Sequence, residues 1–443
     1  MRTRERSIEL GLLVVALLAG MAGLLTVYWS RSAVLEPGSL WLVGVFVGVV
    51  LGAHLAVRRW APLADPTLLP AAVLLSGIGL TIIYRLDPER AARQSLWLLV
   101  AIAGMVLLLM LMRSHRALER YRYLIGAAGV LMLVLTAGPL GTVINGAKLW
   151  IVIGPMQVQP GEFAKLAIVI FLAAYLREHR TMLAQRLTLR HAGPILLFWG
   201  GSLVLLAAMS DFGTSLLFFG TFMAMLWVAV GRLSYVLVGM GSFLAGSAAI
   251  YAALPYVRVR FDIWLEPWDD PQGSGYQLIQ GLFAMADGGI FGRGLGQAYL
   301  VTGSGQTIIP DAQTDFIFAA MANELGFVGA VGVLMAFSVL VWRGMAIAGA
   351  CTNGFSKLLA FGLTATFALQ VVIIVGGVVR LLPLTGQTLP FISYGGSSVL
   401  ANFLLIGLLL AISSSMAAQR RRVEAAAAGA PAARPGITAG AQP

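Results

Sequence analysis

The chain has 443 residues, 59% of them hydrophobic and 11% charged, with a mean hydropathy of +0.87, where a soluble domain is about 25% charged. Its formal charge of +11 comes from 27 Arg and three Lys, mostly in short stretches between apolar runs, the distribution of membrane-orientation signals rather than of a nucleic-acid surface. A single cysteine, Cys351, excludes an internal disulfide and any cysteine-based zinc or iron–sulfur site.

Twelve apolar stretches follow in chain order, at about 8–28, 40–56, 68–84, 96–112, 123–140, 163–176, 193–209, 215–230, 236–254, 316–342, 358–379 and 397–414. They predict an all-α polytopic membrane protein of about twelve transmembrane helices. The first stretch follows MRTRER and lacks a small-residue cleavage site, so it reads as an anchor and not as a removable signal. The segments RSHRALERYR (113–122), REHRTMLAQRLTLRH (177–191) and QRRR (419–422) are strongly basic. A cytoplasmic N-terminus puts about 20 Lys and Arg inside and about 10 outside, and the even number of spans returns the C-terminus to the cytoplasm. The last twenty residues, rich in Ala, Pro and Gly, read as disordered.

The same topology sorts the ionisable residues. His54, His115, His179 and His191 fall near the inner side, whereas Glu162, Asp211, Asp262, Asp287, Asp311 and Asp315 fall outside or at outer helix ends. Polar chemistry is therefore expected to face outward and to rest on carboxylates.

Three outward segments concentrate polar residues and glycine. In NGAKLWIVIGPMQVQPGEFAK (145–165), Glu162 and Lys165 lie i,i+3 on one helical face after the break at Pro160 and Gly161. They read either as a local ion pair or as a lysine, with Lys148 nearby, that orients an acid or binds phosphate. The long segment 255–315 carries Arg258 and Arg260 in YVRVRFDIW and Arg293 in GGIFGRGLG. Arginine forks and glycine amides suit phosphate oxygens, although a turn with an interfacial arginine reads equally well. Asp315 stands where the tenth apolar stretch begins, as a helix cap or as an acid facing a site; Glu324, deeper in that stretch, is expensive there unless paired or functional. In LPLTGQTLPFISYGGSS (382–398), Pro383, Pro390, Gly386, Gly395 and Gly396 interrupt helix. Irregular backbone at membrane depth is tolerated where it lines a cavity, so a re-entrant or cavity-lining segment is expected.

These two flanking motifs, with PDAQTDFIFAAMANELG (310–326), resemble the SEDS family (shape, elongation, division and sporulation), that is, RodA/FtsW-type proteins, over roughly residues 68–415. PLTG is more RodA-like than FtsW-like. The resemblance implies a ten-helix catalytic membrane domain at 68–415 with its long extracytoplasmic loop at 255–315, preceded by two extra helices at 1–67 and followed by a cytoplasmic tail at 416–443. It implies a peptidoglycan glycosyltransferase that polymerises lipid II at the outer face of the bacterial cytoplasmic membrane, releasing undecaprenyl pyrophosphate, in elongation and cell shape or in division. A class B penicillin-binding protein (the crosslinking transpeptidase) and membrane lipid are the implied partners, with no nucleic acid. Asp315 matches the family's aspartate considered essential for polymerisation, and Glu162 and Lys165 match its QPSEFAK-like pair.

Departures from the family pattern are Asp311 for Glu, Gln313 for His, Gly161 for Ser, and Ser210-Asp211-Phe212-Gly213 for PDLG or PDFG. Gln313 rules out an essential histidine at that position here. Asp315 is thus expected as general base, supported by Glu162 and Lys165. Lys148, Arg258, Arg260, Arg293, Arg380, Asp311, Ser393 and Ser397 are the expected substrate contacts. A divalent cation would suit the pyrophosphate, yet the sequence shows no ligand set for one. The alternative is a lipid II flippase or another transporter of lipid-linked substrate, which would place ionisable groups at the bilayer midplane, where Glu324 is the one fair candidate.

Overall fold

A computed structural model describes residues 2–31, 41–112, 114–144, 147–154, 156–185, 193–253, 255–301 and 307–429. The chain is a multi-pass membrane protein. Its long helices are α1 (Arg2–Arg31), α2 (Trp41–Trp60), α3 (Leu68–Leu86) and α4 (Pro88–Leu111), then, after the single turn α5 (Ala117–Arg120), α6 (Arg122–Ala137) and α7 (Pro160–Gln185). There follow α8 (Gly193–Ala208, with a π-helical turn at Leu196–Gly200), α9 (Phe212–Val230) and α10 (Leu233–Ala253). After two short helices, α11 (Pro255–Leu265) and α12 (Tyr276–Gly288), come α13 (Ile317–Ala350), α14 (Gly354–Val378) and α15 (Gly396–Gly429).

Among the described residues, twelve helices remain without α5, α11 and α12, one at each predicted span. Eight are long and apolar enough to cross a membrane by length and composition, and α6, α8 and α10 are shorter apolar helices. The twelfth, α7, carries Glu162 and Lys165 at one end and Arg177, Glu178 and Arg180 at the other. Side chains start several of these helices. Asp87 accepts from Arg90 N at α4, Asp211 from Thr214 N at α9, and Asn353 from Ser356 N at α14.

The core is built around α7, whose residues from Ala164 to Leu176 are all buried. It packs against α6, α9, α14 and α15. The first two helices join the bundle through α3 and α4. A Cβ on Gly20 of α1 would come within 3.3 Å of the Gly77 Cα of α3, and one on Gly23 would meet Thr81. Small residues thus let these helices approach closely where lipid offers no hydrophobic drive to associate.

The structure departs from the sequence reading in four places. The segment around LWIVI is an antiparallel three-stranded sheet, β1 (Thr142–Ile144), β2 (Ala147–Ile153) and β3 (Met156–Val158), with Val143 opposite Lys148 and Val152 opposite Gln157. Its β-branched and aromatic residues suit a pleated surface, and Gly154 turns the chain at φ +60°. The 255–315 loop contains α11 and α12. α13 is broken at Gly326, at φ +72° and ψ −174°. α15 continues to Gly429, so the first residues of the expected disordered tail are helical, while residues 430–443, like His191, lie outside the described residues.

Candidate active site

Four pieces of chain meet at one end of the bundle: the start of α7, the turn before α9, the turn before α13, and the irregular stretch 380–395 that separates α14 from α15. That stretch is mostly buried from Gln387 onward and includes positive φ at Gly386 (65°) and Phe391 (64°). Buried backbone without helix partners must find others. Ser393 Oγ accepts from Leu389 N (2.9 Å) and donates to Thr314 O (2.5 Å), while Tyr394 N donates to Gln313 O (2.8 Å). These bonds stitch the segment to the turn that carries Asp315.

On the opposite side, Lys165 Nζ lies 2.7 Å from Glu162 Oε2 and donates to Gln370 Oε1 (2.7 Å). No aligned hydrogen bond reaches Glu162 Oε2, so the pair is held by charge at short range. Gln370 Nε2 continues to Thr388 O (3.0 Å), and Thr388 Oγ1 to Ser398 Oγ (2.9 Å). Asp211 Oδ1 accepts from Thr214 N (2.9 Å) and from Gln387 Nε2 (3.1 Å), which also donates to Thr214 Oγ1 (3.0 Å). Arg260, on α11, donates from Nη1 to Leu384 O (3.3 Å).

Asp315 faces this wall: a Cβ on Gly386 would stand 3.5 Å from its Oδ2. The carboxylate keeps some solvent contact, yet packed protein strips most of its hydration. Burial, with the neighbouring charge of Asp311, pushes its pKa up to about 7, and Thr314 and Arg260 offset only part of this. Burial also raises Asp211, the charge of Glu162 adding to the effect and Arg260 opposing it. Arg260 thus acts on both acids, and Glu162 on Asp211, which makes this one electrostatic neighbourhood. Among the described residues, no group of three or more His, Cys, Asp or Glu side chains could hold a metal ion. The cationic side chains in this neighbourhood are Lys165 and Arg260.

The structure therefore brings together Asp315, Glu162, Lys165, Arg260 and Asp311. Other sequence-derived candidates lie further out or have other contacts. Lys148 Nζ donates to Ala137 O (3.1 Å). Arg258 donates to Ala252 O (3.2 Å) and stands over the Tyr251 ring. Arg293 grips Asp287 with two donors. Arg380, at φ +61°, donates to Trp264 O (2.8 Å) and to Leu265 O, clasping the end of α11. Ser393 and Ser397 are buried at 1% and 2% exposure, and Ser397 Oγ accepts from Gln159 N (2.8 Å), so both hydroxyls hold backbone. Glu324 is ion-paired with Arg85 Nε at 3.0 Å, and Arg85 also donates to Ala298 O (2.8 Å). Sequence reasoning missed Gln370 and Gln387. The signal for Gln370 was a lone amide inside an apolar span, which needs a partner at that depth.

The chain is similar to known proteins in sequence and in fold. The sequence profile of the FtsW/RodA/SpoVE group, described as cell cycle proteins, matches residues 40–418. Peptidoglycan glycosyltransferase RodA of Mycobacterium tuberculosis (strain ATCC 25618 / H37Rv) is 40% identical over 431 residues, covering 92% of this chain and 90% of the relative. Stage V sporulation protein E of Bacillus subtilis (strain 168) is 40% identical over 289 residues, covering 64% and 76%. Among solved structures, a chain from a peptidoglycan synthase complex is similar with a TM-score of 0.64 at 29% identity, over 85% of this chain and 97% of that one. The Thermus thermophilus rod shape determining protein RodA has a TM-score of 0.57 at 28% identity, over 79% and 96%. This chain belongs to the FtsW/RodA/SpoVE family of cell cycle proteins.

Proposed function

We propose that this chain is a peptidoglycan glycosyltransferase that polymerises lipid II into glycan strands at the outer face of the cytoplasmic membrane, releasing undecaprenyl pyrophosphate. One observation carries the reading: a carboxylate with its pKa pushed up to about 7, Asp315, faces an open glycine wall within the field of the Arg260 cation. A base works best when its pKa lies near the working pH. In this scheme Asp315 removes the proton of the acceptor sugar hydroxyl as that oxygen attacks the anomeric carbon of the donor. The bond from that carbon to the pyrophosphate oxygen breaks, and the leaving group takes the electron pair as a pyrophosphate anion. Arg260 is best placed to stabilise that charge, while Lys165, ion-paired with Glu162 and bonded to Gln370, braces the start of α7. Lys148, Arg258, Arg293 and Arg380, each bonded elsewhere in the free chain, are further pyrophosphate contacts in this reading, and Asp311 holds up the basicity of Asp315 by its charge.

The orientation follows from charge. Arg116, Arg120, Arg122, Arg177, Arg180 and the run Arg420–Arg422 lie at the far end of the bundle from Asp315, which the positive-inside rule assigns to the cytoplasm with both termini. The partner in this reading is a class B penicillin-binding protein that crosslinks the strands, and the role is elongation and cell shape, with the first two helices an addition to a core at 68–415. A lipid II flippase is the second reading. Its one midplane candidate, Glu324, is ion-paired with Arg85 at 3.0 Å, which weighs against it. The test is incubation of the purified chain and its transpeptidase with lipid II. Glycan strands with released undecaprenyl pyrophosphate support the polymerase; lipid II translocation in vesicles without polymer supports the flippase.

A further inference from the structure

We infer that Gln387 is a positioning residue for Asp315: by hydrogen-bonding to Asp211 and Thr214 it fixes Gly386 as the wall facing the Asp315 carboxylate. The inference rests on the polymerase reading above and concerns how the same site is held. Gly386 sits at φ +65° with no side chain of its own, so its position must be set by its neighbours. On one side Arg260 reaches Leu384 O, and on the other Gln370 reaches Thr388 O. Between them, the buried Gln387 amide nitrogen directs its bonds to Asp211 Oδ1 and Thr214 Oγ1, both in the first turn of α9 or at its cap.

The wall is thereby referenced to a rigid helix start. Gly213 makes this approach possible: a Cβ there would lie 2.8 Å from Gln387 Cγ and 2.9 Å from Thr385 O. Asp211 serves as a hydrogen-bond acceptor in this arrangement, and a neutral carbonyl of the same shape would serve as well. Misplacement of a reacting group by about 1 Å costs on the order of a hundredfold in rate.

The test uses the full chain with its transpeptidase and purified lipid II, with thermal unfolding and partner binding confirming that each variant is folded. Gln387→Leu is expected to lower kcat at least about tenfold while leaving KM within about twofold. It should also move the acidic limb of the kcat profile to lower pH, because a loosened wall rehydrates Asp315 toward its ordinary range. A purely structural role would lower the level without moving the limb. Gly213→Ala, which favours the helix while pushing on Thr385 and Gln387, should reproduce both effects. Asp211→Ala should lose activity as Gln387→Leu does, and Asp211→Asn should recover most of it.

A wild-type kcat and an unmoved limb in Gln387→Leu or in Gly213→Ala would overturn the inference. So would Asp211→Asn as inactive as Asp211→Ala, since the charge and not the hydrogen bond would then matter. Polymer from wild type with either outcome overturns the positioning role alone. No polymer from wild type overturns the polymerase reading, and the positioning role with it.

Discussion

Asp315 is held where an ionised carboxylate is poorly solvated, and this has consequences for activity and for stability. Its pKa of about 7 means that the basic form appears as pH rises through about 7, so kcat should climb over that range and fall away in acid. The stability effect has the opposite sign. The folded pKa lies above the ordinary 3.8, so folding favours the protonated form; the penalty begins above that value and is complete above about 7. Asp315→Asn should therefore raise stability at pH 8 by roughly 1–2 kcal/mol, allowing for residual solvent contact, and leave it unchanged at pH 4. Thermal unfolding at the two pH values checks this, and an Asn variant less stable at pH 8 would contradict it. At this scale the acids and Lys165 were legible in the sequence because charge in an apolar chain is conspicuous. Gln387 was not, because a glutamine in a polar loop has no signature until its partner in another loop, Asp211, is known. For a related reason Ser393 and Ser397 read as ligand contacts, each a hydroxyl near glycine, and only the fold reveals the buried backbone they hold.

At the scale of elements, the acid-bearing start of α13 is set off from its membrane-spanning part by the break at Gly326. The turn after α12 fills this break: Phe327 N and Val328 N donate to Gly289 O (2.9 Å) and Ile290 O (3.0 Å), while Arg293 N and Gly294 N donate to Asn323 O and Glu324 O. A Cβ on Gly326 would lie 2.2 Å from Gly292 N, and one on Gly292 would lie 2.1 Å from Glu324 O, so both glycines are required by close approach. The Arg85–Glu324 pair ties this junction to the end of α3. Removing one partner of a buried pair leaves an uncompensated charge, so Arg85→Ala and Glu324→Ala should each destabilise by about 3–5 kcal/mol. The double variant should be less destabilised than the sum, a coupling that a double-mutant cycle by denaturant titration would measure. Additive losses would contradict the pairing. The twelve spans were legible as apolar runs, since burial in lipid and burial in protein both demand apolar side chains. The small sheet was not, because LWIVI is as apolar as a helix of the same length, and the break at Gly326 needed the partner loop to be seen.

For the whole molecule, the proposed topology puts the sheet and Asp315 on one side of the membrane and the paired Glu5 of α1 and Arg421 of α15 on the other. Cys351 is buried, so an introduced cysteine can report topology without background. A cysteine at the exposed Gly154 should react with an impermeant thiol reagent on intact cells, and one at the exposed Arg180 only after permeabilisation; the reverse pattern would invert the orientation. The central claim is that Asp315 is the base of a polymerase, and the most direct measurement is glycan polymerisation from purified lipid II by wild type and Asp315→Asn, each with the transpeptidase bound. The account predicts strands from wild type and none from the folded Asn variant. Strands from Asp315→Asn at the wild-type rate would contradict it.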